Sequence, residues 1–354
     1  MTLIKILTSI LVVLLMSCIQ SEDISRNSDK DNQDDTGVID SISDIDTIVA
    51  TCATESFTTT KQLYEKTFTG CIDYSTSIIF YKNGKLHRKN GPAVEGSGGD
   101  KEWWINDKRH RTDGPAIEWA DGTKKWVING KKHREDGPAV EWYYGDKEWW
   151  INGKLHREDG PAIDPANGTK EWWINGQLHR EDGPAVERLD GDKEWWINGK
   201  LHREDGPAVE GSRGDKEWWI NGKKHREDGP AVEWGGTKKW WINGKKHRED
   251  GPAINWGNGD KSWWINGQLH REDGPAIKNN TGDKSWWING QLHREDGPAW
   301  IGSWGMESWY LNGKRHRTDG PAVYRVWDGG EITDVEYYLN DELLSKRDFD
   351  ARTK

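Results

Sequence analysis

Residues Lys147-Glu148-Trp149-Trp150-Ile151-Asn152-Gly153-Lys154-Leu155-His156-Arg157-Glu158-Asp159-Gly160-Pro161-Ala162-Ile163-Asp164 read as one complete structural unit. Lys-Glu-Trp-Trp-Ile is a β-favouring run. Asn152-Gly153 follows, the strongest short signal for a hairpin turn. Asp159-Gly160-Pro161 breaks the chain again, because Pro cannot donate to a ladder. Pro-Ala-Ile-Asp opens a second strand, and Gly-Asp-Lys or Gly-Thr-Lys leads into the next unit at nine of ten junctions.

The unit recurs. All eleven His residues, from His87 to His316, fall in one series with nine gaps of 23 residues and one of 22. Eleven of the twelve Pro residues are in phase with them, and only Pro165 is not. Asn-Gly closes the hairpin in ten of eleven units, with Asn106-Asp107 as the exception. A fixed period of this length means a repeat architecture. A β-helix with one rung per unit would stack like charges about 4.8 Å apart, which is unfavourable. Two strands per unit double that spacing to roughly 9.6 Å. The expected fold is therefore all-β: a repetitive antiparallel β-meander or solenoid of eleven 22–23-residue hairpin units, followed by a half unit at Tyr337-Tyr338-Leu339-Asn340-Asp341.

Composition agrees. The chain has 354 residues, of which 33% are hydrophobic, and it holds 25 Trp and 41 Gly. A large globular enzyme needs a richer aliphatic interior, and a disordered chain would carry fewer aromatics. Residues 19–50 contain nine acids and two bases, while the part from Thr51 onward is nearly neutral with 47 bases and 51 acids. No basic stripe is present, so nucleic acid is not an expected partner.

Five segments follow: 1–17 as an export signal, 18–50 as an acidic tether, 51–77 as an N-terminal cap, 78–327 as the eleven repeats, and 328–354 as a C-terminal half-repeat cap and tail. Lys5 precedes an almost unbroken apolar run from Ile6 to Met16. That run is shorter than the ~20 residues of a spanning helix and fits a secretory h-region. It ends in Leu15-Met16-Ser17-Cys18, which resembles the lipobox of bacterial lipoproteins. The resemblance implies cleavage before Cys18, acylation of Cys18 and a lipid anchor in the bacterial cell envelope. An ordinary signal peptide beside a chance Cys is the alternative. Cys52 and Cys71 remain, and in an exported chain they suggest one disulfide, with two free thiols as the other possibility.

The repeat of strand, Asn-Gly-Lys, connector, Gly, second strand and Gly-Asp/Thr-Lys resembles MORN-type repeats over about residues 78–345. It is nearest to the variant class labelled YwqK-type antitoxins. The His-Arg-Glu-Asp-Gly-Pro connector departs from that pattern. The resemblance implies a β-repeat fold and, as one functional option, an antitoxin or immunity role.

Period-2 parity places the first Trp of each pair and the Ile on one face, expected as core with the Val or Ile after Ala. Trp104, Trp150, Trp173, Trp196, Trp219, Trp241, Trp264 and Trp287 face the other way, with Val127 interrupting them. Either the connector folds back over this row, or the row is an open stripe for a glycan or protein. Metal is disfavoured, since His residues at that spacing cannot share an ion with ligands ~2.0–2.3 Å away. The His-Arg-Glu-Asp set is expected to form a charge ladder between units. Because it recurs without a unique nucleophile, no catalytic residue and no cofactor is expected. The functional expectation is a lipid-anchored, non-catalytic scaffold with an unknown protein or glycan partner.

Overall fold

The computed structural model describes residues 69–74, 76–327 and 330–354. The signal segment, Cys18, the acidic tether and Cys52 lie outside the described residues. Cys71 is disulfide-bonded and sits in the first strand, Gly70–Tyr74.

The body is nearly all β, as expected. One antiparallel sheet of 26 strands runs through all units, and ten two-stranded hairpins accompany it. In the unit read above, Lys147–Glu148 pairs with Val140–Glu141 on one side and with Ile163–Asp164 on the other. Trp149 N–H donates to Ala162 O at 2.7 Å and ends that ladder. The chain then forms a separate hairpin, in which Trp150 opposes Leu155 and Ile151 opposes Lys154. Its turn is Asn152-Gly153, with φ of 51° and 79°. Those two positive φ values define the tight turn whose twist suits a two-residue hairpin, and Asn and Gly tolerate them best.

Each expected strand is thus split in two at the first Trp. The outer hairpins also bond to one another. Gly153 N–H donates to Lys132 O at 2.8 Å, and Arg157 N–H donates to Trp173 O at 3.0 Å. Both rows are hydrogen-bonded from unit to unit, as a one-dimensional array requires.

The core meets the expectation only in part. The Ala after each Pro, from Ala93 to Ala322, is completely buried in all eleven units. Ile117, Val140, Val186, Val232 and Ile254 beside it are buried as well. The first Trp and the Ile are only half-buried wherever they occur, while Phe80, at the first-Trp position of the first unit, is buried. The Ala stands where the sheet gives way to the hairpin row, its carbonyl accepting from the first Trp N–H, as Ala162 O does from Trp149 at 2.7 Å.

The half unit closes the array. Ile332–Leu339 and Glu342–Leu344 form its hairpin. The tail is a short helix, Lys346–Arg352, where the other units have a connector. Ser345 caps it by accepting from Asp348 N–H, and its buried Phe349 packs on Tyr337 with ring centroids 4.9 Å apart. Among the described residues no helix is long and apolar enough to cross a membrane.

Candidate functional site

The connector is built around its arginine. In the unit at 149–161, the Arg157 guanidinium lies 3.8 Å over the Trp149 ring. Its Nε donates to Asp159 at 2.8 Å and its Nη1 to Pro161 O at 3.1 Å. A Cβ placed on Gly160 would stand 2.8 Å from Arg157 Cζ. Gly160 therefore serves close approach: the guanidinium is held between an indole face and a backbone without a side chain. The same arrangement repeats from Arg88 on Phe80 to Arg317 on Trp309. Where the second strand carries Glu, as at Glu187 and Glu210, Arg Nη1 donates to it at 3.0 and 2.8 Å.

The charge ladder therefore closes within units rather than between them. The Asp two residues on and the Glu seven residues on curl round the Gly-Pro turn to one guanidinium. Arg157 holds the Asp159 carboxyl below its ordinary range, first by hydrogen bond and then by charge. Within the connector, the side chain that reaches the next unit is His. Asn175 N–H donates to His156 Nδ1 at 3.1 Å, and the same bond runs from Asn106–His87 to Asn340–His316. In the neutral ring this puts the proton on Nε2, which faces Glu158 at 3.8 Å. Asp159 is already paired with Arg157. Among the described residues no group of three or more His, Cys, Asp or Glu forms a metal site. What the connector does chemically is staple neighbouring units.

The second Trp row is half-buried in every unit, and burial does not separate it from the first row. Its indole N–H groups are used locally. Trp104, Trp150, Trp173, Trp196 and Trp219 donate to the Glu two residues earlier, at 2.8–2.9 Å. Trp264 and Trp287 donate to Ser262 and Ser285. Trp241 follows Lys239, which offers no acceptor, and its buried N–H has no partner. Where the preceding unit's hairpin carries Lys, its ammonium lies over the ring, with Lys132 Nζ 4.2 Å from Trp150 and Lys246 Nζ 4.1 Å from Trp264. Val127, at the interruption, is buried. The row is a packed ladder that offers ring surface and little hydrogen bonding.

A third surface was not anticipated. It is the row of turns joining each second strand to the next unit, at Trp142-Tyr143-Tyr144-Gly145, Arg188-Leu189-Asp190-Gly191 or Gly302-Ser303-Trp304-Gly305. Among the described residues nine large apolar side chains are exposed, and six stand here: Tyr143, Tyr144, Leu189, Trp234, Trp304 and Trp327. The turns are pinned to each other. Asp100 accepts from Ala120 N–H at 2.7 Å, Asp146 from Ala166 N–H at 2.9 Å and Asp192 from Ser212 N–H at 2.7 Å. Thr123 takes the same role towards Tyr143 N–H at 3.3 Å. Trp142 stacks on Tyr144 with centroids 5.9 Å apart, and Lys125 Nζ sits 3.9 Å over Trp119 and 4.5 Å over Trp142. Burial lowers the Lys125 pKa. A cleft of about 540 Å³ opens between two turns, lined by Arg213, Asp215, Glu233, Trp234 and Lys238 among others. The signal for this surface was available in the sequence. Within a nearly invariant unit, the residues just before Gly-Asp/Thr change from one copy to the next. No protein-family model matches the chain, and no curated protein matches it.

Proposed function

We propose that this protein is a non-catalytic interaction scaffold, exported and lipid-anchored through Cys18 at the bacterial cell envelope. One observation carries the reading. Arg, Asp, His and turn Asn hold the array together in unit after unit, whereas most exposed large apolar side chains among the described residues stand on one row of turns. Monomeric surfaces rarely concentrate apolar groups without an interaction purpose. The anchor rests on Leu15-Met16-Ser17-Cys18, and the acidic segment to residue 50 serves as its spacer.

Two measurements test this. Metabolic fatty-acid labelling should mark the wild type and not Cys18→Ala; equal labelling, or none in either, refutes the anchor. The soluble Cys18→Ala chain should bind saturably to envelopes prepared from cells lacking the protein. Absence of saturable binding refutes the scaffold.

A second reading has one observation behind it. The eight-Trp row is periodic and half-exposed, so a repeating polymer could contact it through many weak ring-face contacts. Trp219→Ala with Trp241→Ala would then weaken polymer binding stepwise.

A further inference from the structure

We infer that the row of variable turns is a binding face for a folded protein, not for a repeating polymer; this deepens the scaffold reading and rests on it. Three properties of the turns carry the inference.

The first is where variation sits. Eight of the eleven connectors read His-Arg-Glu-Asp-Gly-Pro, and the Trp-Ile-Asn-Gly hairpin is almost as constant. The paired turn positions are Ser97-Gly98, Ala120-Asp121, Tyr143-Tyr144, Ala166-Asn167, Leu189-Asp190, Ser212-Arg213, Gly257-Asn258, Asn280-Thr281 and Ser303-Trp304. No two pairs are the same. A polymer of identical residues gains from identical subsites at a fixed spacing. This edge offers a different contact at each step, so its complement is a surface that does not repeat.

The second is chemistry. Tyr, Trp, Ser, Gly, Asn and Arg make up most of these positions. Tyr and Trp bring large contact area at low rotamer cost, while Ser, Gly and Asn supply adaptable hydrogen bonds, as in antibody loops. Of the seven Trp residues outside the two regular rows, six occupy this edge: Trp119, Trp142, Trp234, Trp256, Trp304 and Trp327. Aromatic residues and Arg dominate protein hot spots. In the cleft beside Trp234, Arg213 and Lys238 balance Asp215 and Glu233. That balance favours neither a polyanion nor a polycation. It suits one apolar side chain with a polar tip.

The third is rigidity. Each pinning Asp or Thr accepts a backbone N–H from the following turn, as Asp260 does from Asn280 at 2.8 Å and Thr237 from Gly257 at 3.2 Å. The acceptor stays Asp or Thr in most turns while the tips vary. A fixed frame with variable tips lowers the ordering cost of binding.

The test places a photo-crosslinking phenylalanine analogue at Tyr144, Trp234 or Trp304 in the full-length chain, with Glu181 and Glu204 on the connector as controls. Crosslinking is done in native envelopes, and the captured protein is purified. The inference expects one protein captured from the turn positions and none from the controls. It also expects that purified protein to bind the wild type at least tenfold more tightly than Tyr143→Ser/Tyr144→Ser or Trp234→Ser, with thermal melts unchanged. Affinity electrophoresis in the envelope polysaccharide fraction is run in parallel. Retardation that the turn variants abolish overturns the protein-partner inference while keeping the scaffold. Retardation lost only with Trp219→Ala/Trp241→Ala moves the site to the Trp row and also overturns it. Capture from turns and connectors alike, or no binding in any arm, overturns it, and the latter also removes the scaffold reading.

Discussion

Gly206→Ala isolates the arginine sandwich. The backbone at Gly206 does not have a positive φ, so Ala meets no conformational penalty there. Its new Cβ would lie 3.0 Å from Arg203 Cζ and 3.2 Å from Nε. The guanidinium cannot retreat, because Trp195 lies 4.0 Å behind it. It must leave, and with it go the bonds to Asp205 at 2.8 Å, Pro207 O at 3.2 Å and Glu210 at 2.8 Å. Stacking contributes about 1 kcal/mol, and the bonds to Pro207 O and Glu210 roughly 0.5–1 kcal/mol each at this half-exposed site, while the bond to the fully exposed Asp205 is left out of the sum. A stiffer unfolded chain returns about 0.4–1 kcal/mol. The expected net loss is about 2 kcal/mol. Urea titration gives the overall change, and hydrogen exchange at the Trp195–Gly206 unit localises it. Gly98→Ala is the control, since nothing lies within 4 Å of its Cβ, and it should be neutral or slightly stabilising. In an Arg203→Ala background, Gly206→Ala should cost nothing. An equal cost in both backgrounds would refute the sandwich.

Three further outcomes are expected. Trp218→Ala, which strips Arg226 of the ring 3.9 Å beneath it, should lower the melting temperature more than Trp219→Ala; equal shifts would mean that both rows carry the same structural weight. Asn221→Ala should cost about 1 kcal/mol because φ is 51° there and a Cβ without a local hydrogen bond disfavours that region, while Asn221→Gly should be nearly neutral in the same urea titration. Ten connector aspartates, Asp113 to Asp319, sit below their ordinary pKa, first through the hydrogen bond from the neighbouring Arg. Their contribution is complete above the unfolded value of about 3.9 and is lost as pH falls through the lower folded values, so melts from pH 5 to 2.5 should decline less for Asp205→Asn/Asp228→Asn than for the wild type.

Much of this architecture was legible without coordinates. Asn-Gly at a 22–23-residue period dictated hairpins, and Gly-Pro dictated the breaks, because turn conformations depend on contiguous residues and their allowed φ. The period alone implied that neighbours contact neighbours. Packing was not legible in the same way. Parity through Lys-Glu-Trp-Trp-Ile assumed one continuous strand, but the chain leaves the sheet at the first Trp, so period 2 stops counting there. The core line runs through Ala, whose burial depends on how closely the sheet and the hairpin row approach. Arg was read as half of a surface ladder, and only the folded turn shows Trp149 on one side of Arg157 and Gly160 on the other. His156 meets Asn175 nineteen residues away in the next unit, a pairing that no local rule specifies. The variable turns stood in the sequence as the least regular part of a regular unit. Only the tertiary structure decided that they form one edge, because alignment along that edge comes from backbone bonds between successive copies.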